Sequence, residues 1–324
     1  KKACIENGCE RGGNVIAMDP KTGDILAMAT YPDYNLNTPF EMPSYLTEKE
    51  WKKMSSEKQT QTLYSVYRNR AVSDTYEPGS VFKTITAAIA LEEDKASVDK
   101  AKVYYCNRSY TVSGIGIKCA HNTKHGYQSL REALAHSCNG AFIQVGQKVG
   151  ANTLYKYYDA FGFFQKTGIE TAEENGSPIF WNVNNVGPIE LATMSFGQRF
   201  KITPLQMITA VSAVANNGTL MKPRIVKEMK NTDNGAVTTI DPVQVRQVIS
   251  KETAEEVLSM METVVTNGTG RYSQIRGYSI GGKTGTSEPD PGNPKEGLTF
   301  SFLAVSPVEN PEIIMLVTLY NPTK

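Results

Sequence analysis

Apolar positions along the chain change their spacing twice. From Asn14 to Asp19 and from Asp24 to Thr30 they run almost unbroken, separated by Pro20-Lys21-Thr22-Gly23. Two such runs around a tight turn predict a hairpin in a sheet covered on both faces. From Ile85 to about Val265 the spacing is helical, punctuated by start and stop signals. Thr47-Glu48-Lys49-Glu50, Ser129-Leu130-Arg131-Glu132 and Thr203-Pro204-Leu205-Gln206 are capping boxes, each opening a helix. The second helix breaks at Ser137-Cys138-Asn139-Gly140, and a new apolar run from Ala141 closes at Gly150. Helices are also predicted over 154–161 and 251–265. Residues 101–128 read as irregular, except for a hairpin turning at Ser113-Gly114. The end of the chain returns to strands at 278–286, 299–306 and 312–320, with turns over 287–297 and 307–311.

Strands at both ends and helices between them predict an α+β fold. Its central antiparallel sheet joins N- and C-terminal strands, with flanking helices and an inserted, mainly helical lobe. One domain of two parts is expected: 1–80 with 250–324 as the sheet-containing subdomain, and 81–249 as the helical lobe carrying part of the active site.

Composition narrows the function. Hydrophobic residues at 40% and charged residues at 21% of 324 are ordinary globular values, and a net charge of +1 gives no argument for nucleic acid. No segment reaches the roughly 18 consecutive apolar residues of a membrane span, and no signal peptide precedes Lys1. The chain opens close to a cysteine and stops straight after an apolar strand, so both ends are expected to continue in a longer protein.

The chemistry centres on Glu77-Pro78-Gly79-Ser80-Val81-Phe82-Lys83-Thr84. A helix starting near Ser80 places Ser80 and Lys83 on one face. A serine hydroxyl is a weak nucleophile until a base takes its proton, and a buried lysine of lowered pKa is such a base. Ser137 and Asn139 lie at a helix break, where side chains can enter a cleft: one to relay a proton, one to bind an amide. Gly281-Gly282-Lys283-Thr284-Gly285-Thr286 sets a cation and two hydroxyls on a glycine-bearing strand, a set suited to an anion. Each piece alone also fits a plainer role: a helix cap, a helix end, a lysine on an edge strand.

Together they occur in the order S-x-x-K, S-x-N, K-T-G, the set found in penicillin-binding proteins and serine β-lactamases. The sequence resembles the transpeptidase domain of a class B penicillin-binding protein of the elongation, division or sporulation type. The resemblance extends over nearly the whole chain. It includes Asp19-Pro20-Lys21-Thr22-Gly23, Asn69-Arg70-Ala71, Ser195-Phe196-Gly197-Gln198 and Leu220-Met221-Lys222-Pro223.

The resemblance implies a peptidoglycan D,D-transpeptidase on the extracytoplasmic face of the membrane, needing no cofactor. Its implied partners are stem peptides, β-lactam antibiotics and a lipid II polymerase. Ser80 would be the nucleophile and Lys83 the base, with Ser137 and Lys283 carrying a proton to the leaving amine. Asn139, Thr284, Gly285 and Thr286 would bind substrate, with the Ser80 and Thr286 backbone N–H groups as oxyanion hole. The alternatives are a β-lactamase or β-lactam sensor of the same fold, or a non-catalytic cell-wall-binding module. Glu170, Glu173 and Glu174 are the candidates for a lactamase's water-activating glutamate, in no lactamase-like pattern.

The cysteines add a separate feature. Cys106 and Cys119 bracket the predicted hairpin, and His121 and His125 follow at Cys-x-His-x-x-x-His spacing. Two readings stand side by side: a disulfide or free thiols, or a structural zinc site on Cys106, Cys119, His121 and His125.

Overall fold

Five strands form the central sheet of the computed structural model, in the order Gly281–Ser287, Thr299–Ser306, Ile313–Tyr320, Gly13–Met18 and Ile25–Tyr31. Every pairing is antiparallel. The structure describes residues 1–9, 11–99, 102–172, 174, 178–288 and 297–323, and the His121 side chain also lies outside it. The two chain ends meet in mid-sheet, where Val15 lies opposite Val317 on one side and Ala29 on the other.

The hairpin is covered on both faces in its first strand only. Gly13–Met18 is buried almost throughout, whereas Ile25–Tyr31 forms the sheet edge and leaves Leu26 55% exposed. An edge strand has one neighbour, so its apolar run outstrips the cover available to it. At the opposite edge, the last predicted strand group starts at Gly281 rather than Tyr278, after Gly277 turns the chain at φ +88°. Most of the turn expected over 287–297 lies outside the described residues.

The three capping boxes form as read, opening helices Glu48–Lys53, Leu130–Ala135 and Pro204–Ala215. Pro204–Ala215 is buried along its whole length and packs on the two middle strands of the sheet. The stretch 81–249 also holds strands that the pattern does not announce. Tyr104–Asn107, Ser109–Val112, Ile115–Lys118 and Lys124–Gln128 form a four-stranded sheet containing the expected hairpin. Two short ribbons pair Thr219–Met221 with Gln244–Gln247, and Glu228–Lys230 with Val237–Thr239. These ribbon strands of three or four residues, two of them fully exposed, are too short for a period to show.

Two distant motifs lock together beside the sheet. The Ile25 N–H donates to the Arg224 carbonyl at 2.9 Å, and the Arg224 N–H to Gly23 O at 3.0 Å. The Arg224 side chain pairs with Asp24 and holds its carboxyl below the usual carboxylate range.

Candidate active site

Residues Gly79–Phe82 form a 3₁₀ turn, and the α-helix Lys83–Glu92 follows directly. The sequence predicts a helix starting near Ser80; the tighter turn delivers the pair better, because residues three apart eclipse one another in a 3₁₀ helix. Two contacts fix this turn. Phe82 lies fully buried among Phe200, Tyr158 and Phe163, at ring-centroid distances of 4.7, 5.2 and 5.3 Å. The Gly79 N–H donates to Gly197 O at 2.9 Å. Gly197 has φ +88°, and a Cβ there would stand 2.1 Å from the Gly79 carbonyl oxygen. The glycine of Ser195-Phe196-Gly197-Gln198 is thus the floor on which the nucleophile turn rests.

Lys83 Nζ, fully buried, lies 2.9 Å from Ser80 Oγ, 2.8 Å from the Ser137 carbonyl oxygen, 2.7 Å from Asn139 Oδ1 and 3.3 Å from Ser137 Oγ. The Asn139 amide orientation is set by its Nδ2, which donates to the Lys118 carbonyl at 3.1 Å. Burial lowers the Lys83 pKa from 10.5 to about 8. A neutral amine has two N–H donors and one lone pair. Among the three partners within 3 Å, the Ser137 carbonyl and Asn139 Oδ1 can only accept, so they take the two N–H groups. The lone pair is left for the one partner able to donate, the Ser80 hydroxyl. This arrangement is poised for general-base chemistry.

Ser137 Oγ also receives a hydrogen bond from Lys283 Nζ at 2.9 Å, and Lys283 donates to the Thr284 carbonyl at 2.8 Å. Burial first, and then the nearby Lys83, push the Lys283 pKa well down. Ser80, Lys83, Ser137 and Lys283 therefore form one continuous hydrogen-bonded chain. Thr284, Gly285 and Thr286 line a cleft of about 570 Å³ with Ser80, Ser137 and Asn139. Phe196, Leu298 and Phe300 give that cleft an apolar wall. The sequence reading missed these three and also Thr269, whose hydroxyl meets that of Thr284 at 2.9 Å. No motif marks apolar wall residues.

Glu170 and Glu174 face elsewhere: Glu170 accepts from the Ile225 N–H, and Glu174 from the N–H groups of Thr167 and Gly168. Glu173 lies outside the described residues.

The cysteine cluster differs from the set expected. Cys106, Cys119, His125 and Cys138 bring their ligand atoms within 4.8 Å of one another. His121 belongs to the expected set, but its side chain lies outside the described residues. Cys138 joins because it opens helix Asn139–Val149, whose N-terminal end packs on the small sheet bearing the other three. Its signal in the sequence was a third cysteine inside the S-x-N motif. Cys119 Sγ lies 3.7 Å from Cys138 Sγ and 3.5 Å from His125 Nδ1. A tetrahedral zinc with ordinary Zn–S and Zn–N bonds spaces its ligands by about 3.8 Å (S to S) and about 3.6 Å (S to N). The Cys138 thiol, then the Asn139 N–H, His125 and Lys83, hold Cys119 far below the usual thiol range, at about 4, against the opposing effect of burial; Cys138 is correspondingly raised. All five cysteines carry free thiols.

Residues 13–324 match the penicillin-binding protein transpeptidase domain. The chain is 38% identical to the stage V sporulation protein D of Bacillus subtilis over 311 residues, covering 95% of this chain and 45% of that protein. It is 31% identical to the peptidoglycan D,D-transpeptidase PbpA of Mycolicibacterium smegmatis, covering 97% of this chain and 63% of that one. The chain thus spans about half to two thirds of these relatives. Among solved structures, the D,D-transpeptidase domain of a peptidoglycan glycosyltransferase from Eggerthella lenta superposes with a TM-score of 0.84 at 28% identity, over 100% of this chain and 76% of that one. Penicillin-binding protein 3 of Mycobacterium tuberculosis, complexed with aztreonam, gives 0.83 at 27% identity, over 100% and 69%.

Proposed function

The chain belongs to the penicillin-binding protein transpeptidase family, and on that premise we propose that it is a peptidoglycan D,D-transpeptidase. Ser80 Oγ attacks the carbonyl between the terminal D-alanines of a stem peptide while Lys83 Nζ takes its proton. The hydrogen-bonded path through Ser137 and Lys283 returns a proton to the departing D-alanine amine. An amine of a neighbouring strand then attacks the acyl-enzyme and releases Ser80. Thr284 and Thr286 hold the terminal carboxylate, Asn139 the substrate amide, and the backbone N–H groups of Ser80 and Thr286 the developing oxyanion. Such a donor contributes about 3–4 kcal/mol in other hydrolases. The cleft lies between the 1–80 plus 250–324 subdomain and the 81–249 subdomain. In the cell the enzyme works outside the membrane beside a lipid II polymerase, and β-lactams acylate Ser80 as substrate mimics.

The carrying observation is that, of the three groups within 3 Å of Lys83 Nζ, only the Ser80 hydroxyl can donate to its lone pair. The test is labelling with a fluorescent penicillin, alongside D-alanine release from a D-Ala-D-Ala peptide. Stable labelling lost in Ser80→Ala supports the reading. No labelling sinks it, and rapid loss of label points to the β-lactamase alternative, against which the placement of Glu170 and Glu174 argues.

For Cys106, Cys119, His125 and Cys138 the reading is a structural site for zinc, outside the reaction itself. The spacing of three sulfurs and one imidazole supports it. Metal analysis of protein purified without chelator tests it. A zinc-free protein with an oxidised Cys119–Cys138 pair ends it.

A further inference from the structure

The residue between the two cleft side chains of the S-x-N motif is a member of the buried thiol cluster. Ser137 meets both lysines and Asn139 meets Lys83, while Cys138 between them turns away and is fully buried among the sulfurs. Ser137 itself sits at φ +56°, a left-handed conformation that a residue with a Cβ keeps only when its surroundings impose it. The small sheet reaches the same wall from the other side. Cys119 follows Lys118, whose carbonyl receives the Asn139 amide. Cys106 lies so close to helix Asn139–Val149 that a Cβ on Gly140 would approach its sulfur at 3.1 Å. A third link runs through His125, stacked on His136 at a centroid distance of 5.2 Å; His136 also lines the cleft.

We infer that metal occupancy of this cluster holds Ser137 and Asn139 in register with Lys83, so that acylation of Ser80 depends on a metal that touches no reacting atom. This rests on the metal reading above. With the ion bound, three ligands from the small sheet and one from the helix start become a single cross-link behind the cleft wall. Without it, the sheet and the helix start are joined behind the wall only by packing and by the Asn139–Lys118 hydrogen bond, and the left-handed Ser137 keeps its lysine contacts but loses the anchor behind it. Cys138 is in this sense a positioning residue, and so, through the ion, is His125.

The experiment measures zinc content, circular dichroism and the second-order rate of acylation by a fluorescent penicillin on one preparation. The preparation is used as purified, after stripping with a strong chelator, and after readdition of zinc. About one zinc per chain is expected. The stripped protein should keep its circular dichroism, acylate at least tenfold more slowly, and recover when zinc returns. Cobalt substitution should give the intense near-ultraviolet thiolate charge-transfer band of a three-sulfur site. His125→Ala should lose metal and acylation together, and His125→Cys, which restores a fourth ligand, should regain both. Zinc that can be removed with no change in acylation overturns the inference and leaves the metal reading standing. Zinc-free active protein overturns both. Global unfolding on stripping overturns the positioning role in favour of a general folding role.

Discussion

The arrangement around Lys83 makes a quantitative demand on the pH dependence of acylation. Only the neutral amine can take the Ser80 proton, and burial lowers the Lys83 pKa from 10.5 to about 8. At pH 7 about a tenth of the enzyme then carries a neutral base, against about 3 in 10,000 for an unperturbed lysine. That is a gain of about 300-fold, equivalent to about 3.4 kcal/mol of barrier. The measurement is the acylation rate constant for a non-ionising β-lactam between pH 5.5 and 10. The rate should rise about tenfold per pH unit up to about pH 7.5, bend near 8 and level off above 9. Lys83→Ala should cost about 10²- to 10⁴-fold at the plateau, the usual contribution of a general base. A rate that is flat from pH 6 to 9, or still climbing at pH 10, would refute the assignment of Lys83 as a desolvated base. So would a Lys83→Ala enzyme that keeps a tenth of the activity.

Further outcomes follow from single contacts. Gly197→Ala places a Cβ against the Gly79 carbonyl at a positive φ; it should cost about 3 kcal/mol or more in urea unfolding and abolish labelling. Asn139→Ala removes one acceptor of Lys83 and the tie to Lys118; acylation should fall about 10- to 100-fold with the fold retained by circular dichroism. Thr203→Ala deletes a buried capping box that is not part of the cleft lining; it should cost about 1 kcal/mol in chemical unfolding and leave acylation unchanged. Asp24→Asn weakens the pairing with Arg224, whose hydrogen bond depresses the Asp24 pKa. That stabilisation is complete above the ordinary carboxylate value near 4 and disappears as pH falls through the lower folded value. The variant should therefore be less stable than the parent at pH 7, by about 1–2 kcal/mol, and the gap should close in acid. An equal gap at pH 7 and pH 2.5 would contradict it.

What could be read in the sequence follows from what leaves a local mark. Capping boxes satisfy backbone groups within three residues, so Thr47, Ser129 and Thr203 announced their helices to the residue. Long apolar strands at both ends of the chain were legible too, to within one to three residues of their bounds. The short strands within 104–128 and 219–247 left no such mark, since three to five residues do not make a period. In the site, the residues with unusual chemistry were visible: Ser80, Lys83, Ser137, Asn139 and Lys283 come together in one hydrogen-bonded chain. The apolar wall of Phe196, Leu298 and Phe300 was not, because an apolar residue in a cleft reads like one in a core. Cys138 could approach this region but could not be placed from sequence, because it opens helix Asn139–Val149 while Cys106 and His125 lie on strands of the small sheet and Cys119 just after one, a juxtaposition that only tertiary packing creates.

The meeting of the two chain ends in mid-sheet has a consequence for when the enzyme can exist. Asn14 Nδ2 donates to the Tyr320 hydroxyl across 306 positions of sequence, and Gly13–Met18, paired locally with Ile25–Tyr31, finds its second neighbour only in Ile313–Tyr320. Contacts of such long range are made late, because the loop they close must be ordered first. Lys283 reaches Ser137 from the strand at the far edge of the sheet that this pairing completes. A nascent chain holding Ser80, Lys83 and Asn139 but stopping short of Lys283 thus has a nucleophile without the rest of its proton path. Synthesis order itself acts as a lock, and reactivity toward β-lactams should appear only once the strand Ile313–Tyr320 has docked.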